Sequence, residues 1–338
     1  MEDALKTGPC NLPEPLTPLI GREQEVERVL HFLRNTDVRL LTLTGIAGIG
    51  KTRLALQVAG ELCLNHDFAD GLYFVPLASI SNPDFVVPTI ARLFGLKETD
   101  GETVLEGLQT YLQDKHLLLV LDNFEHILSA TPFLTPLLAS CTGLKVLVTS
   151  RERLRLRYEQ QFQLSPLALP DLKNLPDPEA LSQYAAVALF IQRVQAVRPS
   201  FTVTQANIRV IAEICTRLDG LPLTIELAAA RMNMLSAQEL LVRLNHRLQV
   251  LSQGARDLPE RQQTLYNTLH WSYGLLNAEE QQLFRWLSVF VGGCTYLAAE
   301  RVCVRIGDTG ESIFNLVSSL IDKSLLQLDR QGGEREEE

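Results

Sequence analysis

Positive charge is in short supply in this chain. Its 31 lysines and arginines stand against 40 aspartates and glutamates, a formal net charge of -9 at pH 7. Gripping nucleic acid through its phosphates needs a basic face, so direct nucleic-acid binding by this chain is not expected. A small basic patch, or a DNA-binding module outside the chain, is left open. Paired cysteine motifs are also missing: Cys10, Cys63, Cys141, Cys215, Cys294 and Cys303 are scattered, with no C-x-x-C. That spacing argues against structural zinc, and the mostly apolar surroundings predict reduced core thiols in a cytosolic protein. The apolar run Leu117 to Leu121, like every other in the chain, falls far short of the roughly 20 residues that span a bilayer. The opening MEDALKTGPC has no basic region followed by an apolar stretch, so no signal peptide is read and a cytoplasmic location is expected. Internal repeats are absent as well.

What the chain does have is a globular composition, 46% hydrophobic and 21% charged over 338 residues. That length predicts two or three domains. Residues 1–18 are polar and proline-rich and read as an extended arm. A helix is predicted from Glu23 to Leu33, with Val26, Val29, Leu30 and Leu33 on one face. Strands then alternate with helical segments: Arg39–Thr44, Leu72–Leu77, Leu117–Asp122, Lys145–Ser150 and Gln161–Leu164. Such alternation predicts a parallel sheet with helices on both faces.

The pattern changes near Pro166. From Ala180 to about Leu251 only helical periodicity is read. A third unit starts near Asp257, where Asn277 reads as an N-cap with Glu280 three positions on. Helices with a short trailing strand at Ser324–Leu328 suit a winged helix. With the glycine-rich stretch GIAGIGKT at Gly45–Thr52 following the first strand, the context of a phosphate-binding P-loop, the predicted fold is a three-layer α/β P-loop NTPase domain with a parallel sheet, then a helical domain, then a winged-helix domain. The boundaries are 1–18 for the arm, 19–166, 167–255 and 256–338.

Gly45 to Thr52, GIAGIGKT, is the most informative stretch. It lies between an apolar strand and an amphipathic helix, the context a phosphate-binding P-loop requires. Gly45, Gly48 and Gly50 free the backbone to bring N–H groups to an anion, and the helix starting near Lys51 adds its positive end. In such a loop Lys51 reaches the outer phosphates and the Thr52 hydroxyl ligates Mg²⁺. LLLVLDNFEH, Leu117 to His126, ends an apolar strand in Asp122, at the sheet edge where a carboxylate holds Mg²⁺ or its water. Asn123 orients water but cannot accept its proton, whereas Glu125 can if it faces the cleft; a solvated loop acid is the plain alternative. Arg151 ends a second apolar strand, where its planar fork suits a γ-phosphate if that strand neighbours the first. The plain alternative is a surface arginine like Arg153, Arg155 and Arg157. Gly220-Leu221-Pro222-Leu223 is, on physical grounds alone, a helix–helix turn.

PLIGRE at Pro18–Glu23, GIAGIGKT, LLLVLDNFEH, LVTSR at Leu147–Arg151 and GLPLTIELAAARM at Gly220–Met232 together resemble the signal-transduction ATPases with numerous domains, more narrowly their NB-ARC-type branch. The resemblance runs from Leu19 to Leu328. It implies a switch that is closed with ADP and that exchanges to ATP, opens and self-associates on a stimulus, with slow Mg²⁺-dependent hydrolysis. It implies nucleotide contacts from Leu19, Ile20, Arg22, Gly48, Ile49, Gly50, Lys51, Thr52, Arg53, Pro222 and Leu223. Pro222 would close over the adenine, Arg151 would sense the γ-phosphate, Thr52 and Asp122 would hold the metal, and Lys51, Asp122, Glu125 and Arg151 would carry turnover.

Two departures stand out. Many relatives have a second acid where this chain has Asn123, and GGEREEE is read as falling before a motif that touches bound ADP in the family, with a natural disordered tail as the plain alternative. The expectation is a core without its sensor and effector, with no amino-terminal effector domain before PLIGRE. Competing expectations are a DNA-binding initiator-type ATPase, which the acidic balance disfavours, and a metabolic P-loop kinase, for which no acceptor pocket can be read.

Overall fold

The computed structural model describes residues 8–96, 103–174, 176–244, 251, 263–290, 293–306 and 313–326. The first helix, α1 (Glu23–Arg34), turns Val26, Val29, Leu30 and Leu33 inward and carries Glu23 and Glu25 in its first turn, where the helix dipole favours acids. Next come β1 (Leu40–Thr44), α2 (Lys51–Leu64), β2 (Leu72–Pro76), α3 (Val86–Leu93), α4 (Val104–Leu112), β3 (Leu117–Asp122), α5 (Leu134–Ser140), β4 (Leu144–Thr149) and β5 (Glu159–Gln163). Each strand lies within two residues of its expected position. The sheet is five-stranded and wholly parallel, in the order β2-β3-β4-β1-β5.

Its central strands are buried on both faces, which is why they read as unbroken apolar runs. In β3, Leu117, Leu119 and Leu121 join a core with α3, α4 and α5, whereas Leu118 and Val120 join one with α1 and α2. The two-residue period of a strand thus feeds two layers from one segment. β4 lies directly beside β1, so the segments following β1, β3 and β4 emerge together at one sheet edge.

The second unit consists of α6 (Pro178–Gln183), α7 (Ala185–Val197), α8 (Gln205–Arg217), α9 (Pro222–Ala230) and α10 (Ala237–Arg243), around a core of its own centred on Phe190, Ile211, Ile214 and Ala228. Beyond it lie α11 (Leu265–Gly274), α12 (Ala278–Leu287), α13 (Tyr296–Ile306) and α14 (Ile313–Asp322). The expected Asn277–Glu280 capping box at the start of α12 is present. The trailing strand is not seen: Ser324 to Leu326 form a turn and bend, and the rest of that segment lies outside the described residues.

The cysteines correct the expectation of reduced core thiols. Cys141 and Cys215 are buried free thiols and Cys294 is exposed, but Cys10 and Cys63 form a disulfide. Fifty-three positions separate those two. Nothing in their spacing shows the pairing, because it depends on the arm lying along the edge of the sheet beside β2.

Candidate functional site

The loop after β1 takes the conformations its glycines permit, with φ of 147° at Gly45, 77° at Gly48 and 99° at Gly50. Gly50 caps α2 in the left-handed region. The Lys51 ammonium lies back along this loop, donating to the carbonyls of Gly45 at 2.7 Å and Ile46 at 3.1 Å. Beside it the Thr52 hydroxyl donates to Oδ1 of Asp122 at 2.7 Å, and the Thr149 hydroxyl donates to the same oxygen at 2.6 Å. Thr149 closes a further link by accepting from the Asn123 N–H at 2.9 Å. α2, β3 and β4 each contribute to this hydroxyl–carboxylate group, because the carboxyl ends of β1, β3 and β4 are adjacent and α2 starts just after β1.

Glu125 does face the cleft. It sits in a short 3-10 turn after Asn123, whose φ of 63° is left-handed. Its carboxylate lies 3.3 Å from Nε of Arg151, and both side chains are buried. Arg151 is therefore no surface arginine, unlike Arg153, Arg155 and Arg157.

The helical unit closes the other side. The Leu223 N–H donates to the Gly48 carbonyl at 3.1 Å. A Cβ on Gly48 would stand only 2.8 Å from that of Leu223, so the turn before α9 is packed directly on the P-loop. Arg22, at the start of α1, donates to the carbonyls of Ile49 at 3.4 Å and Ser165 at 2.8 Å. These contacts enclose a cavity of about 460 Å³, bordered by Leu19, Ile20, Arg22, Gly48, Ile49, Gly50, Lys51, Thr52, Arg53, Asp122, Glu125, Arg151, Pro222 and Leu223. The residues expected to touch nucleotide, metal or the reacting groups border this one space, whereas Gly45, Gly220 and Leu221 do not line it.

Others were not foreseen. Thr268 and Trp271 reach the cavity from α11, and Glu226 reaches it from α9. Glu226 accepts from Arg193 at 3.0 Å and from Arg53 at 3.4 Å, and both arginines also bond to Thr17 of the arm. Burial lowers the Arg53 pKa, opposed by Glu226 and reinforced by Arg193. No sequence pattern announces such a clasp, since its members are isolated polar residues on three helices and the arm. The third unit is tied to the sheet through Ser324, whose hydroxyl donates to the Arg151 carbonyl at 2.8 Å, and through an Arg155–Asp322 ion pair at 2.9 Å.

Among the described residues no group of three or more His, Cys, Asp or Glu side chains is placed to hold a metal alone. The Thr52–Asp122 pair instead offers two hard oxygen donors, the kind of partial set Mg²⁺ takes when phosphates and waters complete its shell. No helix among the described residues is long and apolar enough to cross a membrane.

Comparisons with known proteins bear on this arrangement. The NB-ARC domain family matches residues 22–161. A protein of Mycobacterium tuberculosis whose name describes it as an HTH-type transcriptional regulator is 38% identical over 86% of this chain and 31% of its own length. An uncharacterised protein of the same organism is 35% identical over 94% of this chain and 77% of its own. The regulatory protein AfsR of Streptomyces griseus is 27% identical over 94% of the chain and 31% of AfsR. The chain thus spans about a third of the length of the named regulators. Among solved structures, a STAND protein with a tetratricopeptide repeat sensor from Pyrococcus horikoshii aligns with a TM-score of 0.39 at 17% identity, over 93% of this chain and 40% of that one. Cdc6p from Pyrobaculum aerophilum aligns with a TM-score of 0.42 at 17% identity, over 95% and 89%. At such scores neither structure adds to the assignment, which rests on the sequence matches and on the parallel sheet. The chain belongs to the NB-ARC-type, STAND-class P-loop ATPases.

Proposed function

We propose that this chain is a nucleotide-operated switch. Adenine nucleotide, ADP at rest and ATP on activation, occupies the cavity with Mg²⁺ and decides whether the helical unit stays packed on the P-loop. The observation that carries this reading is convergence. A loop with three left-handed glycines, a buried lysine, a hydroxyl–carboxylate pair and a buried arginine meet in one cavity, roofed by Pro222 and Leu223.

The roles follow from chemistry. Backbone N–H groups around Gly48 and Gly50 and the ammonium of Lys51 suit phosphate oxygens. Thr52 and Asp122 would hold Mg²⁺, which neutralises charge on the outer phosphates when bound. Leu19, Ile20, Pro222 and Leu223 supply the apolar surface for an adenine. Arg22 supports the loop by donating to the Ile49 carbonyl, and Arg53 holds the mouth through Thr17. Arg151 suits a γ-phosphate, as a planar donor at the end of the strand beside β1.

Hydrolysis on this reading is slow. Asn123 cannot take a proton from water, and the acid that can, Glu125, is engaged by Arg151. The third unit is read as a winged helix from its sequence pattern, and the regulators named among the relatives support an output in transcription. That output would run through sensor and effector modules beyond this chain and through self-association on activation.

ATP alone does not open the switch. Inverting a two-state equilibrium from 1:99 to 99:1 takes about 5.5 kcal/mol, whereas one charge-assisted bond from Arg151 provides about 1.5–3 kcal/mol. An upstream signal or self-association provides the rest. The direct test is to unfold the purified protein and identify the released nucleotide by chromatography. Stoichiometric ADP is the expected result; recovery of no adenine nucleotide, together with no stabilisation by added ADP or ATP, would remove the reading.

A further inference from the structure

The arm before α1 is attached at both ends. At its start, Cys10 forms a parallel bridge with Leu72 at the outer edge of β2, and Leu72 N–H donates to the Pro9 carbonyl at 3.0 Å. The Asn11 side chain imitates a strand partner: its Oδ1 accepts from Phe74 N–H at 2.6 Å and its Nδ2 donates to the Phe74 carbonyl at 3.2 Å. At its far end, Thr17 is held by Arg53 and Arg193. The next residues, Pro18, Leu19 and Ile20, form one wall of the cavity. Between the anchors Pro13, Glu14, Pro15 and Leu16 are solvent-exposed, with Leu16 92% accessible. Pro13 and Pro15 stiffen that stretch by fixing their φ angles.

The anchor at Cys10 is covalent, because Cys10 is bonded to Cys63 near the end of α2. α2 begins at Lys51, inside the P-loop. The bond therefore ties the wall formed by residues 18–20 to the helix that carries the phosphate-binding lysine. Cys10 is exposed and Cys63 half-buried, so small thiols and disulfides reach the pair. Cys141 and Cys215, by contrast, are buried and burial raises the pKa of each thiol, which keeps them inert. Without the bond, what holds the start of the arm is a few solvent-facing hydrogen bonds, the kind of contact that opens first, and the partly buried Leu12 side chain against the sheet core.

We propose that Cys10 and Cys63 are a reversible redox pair that, when oxidised, locks the arm against the sheet edge and slows release of nucleotide from the cavity. In a reducing compartment such a bond forms only transiently, so its formation reports an oxidant and does not merely brace the fold. The chemistry is thiol–disulfide exchange with a low-molecular-weight disulfide. One cysteine thiolate attacks that disulfide and expels one small thiolate, leaving a mixed disulfide. The second cysteine thiolate then attacks the protein-bound sulfur and expels the other. Two electrons pass from the cysteine pair to the small disulfide, which leaves as two thiols carrying the protons the cysteines lost. A dithiol reverses both steps.

The inference rests on the nucleotide reading above, and its test separates the two. Purified chain is equilibrated with glutathione disulfide or with dithiothreitol, and the Cys10–Cys63 link is quantified by non-reducing peptide mass analysis. The chain is then loaded with a fluorescent N-methylanthraniloyl ADP and chased with excess ADP. Release several-fold slower from the oxidised protein is expected. Cys10→Ser and Cys63→Ser should release at the reduced rate under both conditions, while Cys294→Ser keeps the response. Equal release rates with the bond demonstrably formed would overturn the redox lock and leave the nucleotide reading standing, and failure of the bond to form under glutathione disulfide would do the same. Absence of binding in both redox states would overturn the nucleotide reading and the lock together.

Discussion

Nε of Arg151 lies 3.3 Å from Oε1 of Glu125, with both side chains more than nine-tenths buried. One acid thereby occupies the arginine proposed to read a γ-phosphate and is itself occupied as a proton acceptor. Glu125→Gln keeps the shape and removes the competing charge. The extra stabilisation given by a non-hydrolysable ATP analogue over ADP should then grow, by up to about 1.5–3 kcal/mol, the range of one hydrogen bond to a charged group. Thermal unfolding with each nucleotide measures it; an unchanged difference would show that Glu125 does not restrain Arg151.

Lys51 is buried against the Gly45 and Ile46 carbonyls, and Asp122 accepts from Thr52 and Thr149. Lys51→Ala should abolish nucleotide-dependent stabilisation, which for the parent is about 2.7 kcal/mol at a hundredfold excess over Kd. Asp122→Ala should retain nucleotide binding but lose its Mg²⁺ dependence. An undiminished shift in the lysine variant, or equal Mg²⁺ responses with and without Asp122, would contradict these roles.

Two P-loop glycines offer an internal comparison. Gly48 and Gly50 both have left-handed φ, but an added Cβ at Gly50 meets nothing within 4 Å whereas one at Gly48 meets Leu223. Each change to alanine carries the left-handed backbone cost, about 1–2 kcal/mol. Gly48→Ala should cost a further ~1–3 kcal/mol for the steric shift and should loosen the helical unit, seen as faster proteolysis beyond Pro166. Equal losses in the two variants would mean that closure over Gly48 contributes nothing to stability.

Glu280 gives the third unit an acid-sensitive support. Burial pushes its pKa up, but hydrogen bonds from Lys323, Ser319 and the Asn277 cap outweigh that, and the net shift is downward. A carboxylate with a lowered folded-state pKa stabilises fully above its unfolded value, about 4.3. That contribution is lost as pH falls through the folded-state value. Glu280→Gln should therefore destabilise at pH 7, by about 1.5–3 kcal/mol, and the gap to the parent should narrow as the pH falls below about 4.3. Urea unfolding followed by tryptophan fluorescence reads this; a gap independent of pH would rule out the charged form as the source.

The Cys10–Cys63 bond closes a loop with a sequence separation of 53. Chain-entropy reasoning assigns such a cross-link up to about 4 kcal/mol. Reduction should lower the unfolding midpoint accordingly, and Cys10→Ser should make the midpoint insensitive to dithiothreitol. Coincident oxidised and reduced unfolding curves would show that the arm contributes no constraint.

The local elements were legible in the chain. Apolar runs buried on both faces gave away β1, β3 and β4, four inward positions marked α1, and Asn277 with Glu280 marked the start of α12. The P-loop and the acid ending β3 were equally plain, because each needs particular residue types within a few positions. What the sequence alone left open depended on residues far apart along it. That β4 lies beside β1, bringing Arg151 to the P-loop, is a matter of strand order. The seating of Leu223 on Gly48, the entry of Trp271, the Thr17 clasp and the Cys10–Cys63 bond each join separate elements. The physical reason is reach: hydrogen-bond periodicity and side-chain hydrophobicity act over a turn of helix or a pair of strand residues. Contacts across fifty or more positions are chosen only when whole layers pack and one arrangement buries more surface than its rivals.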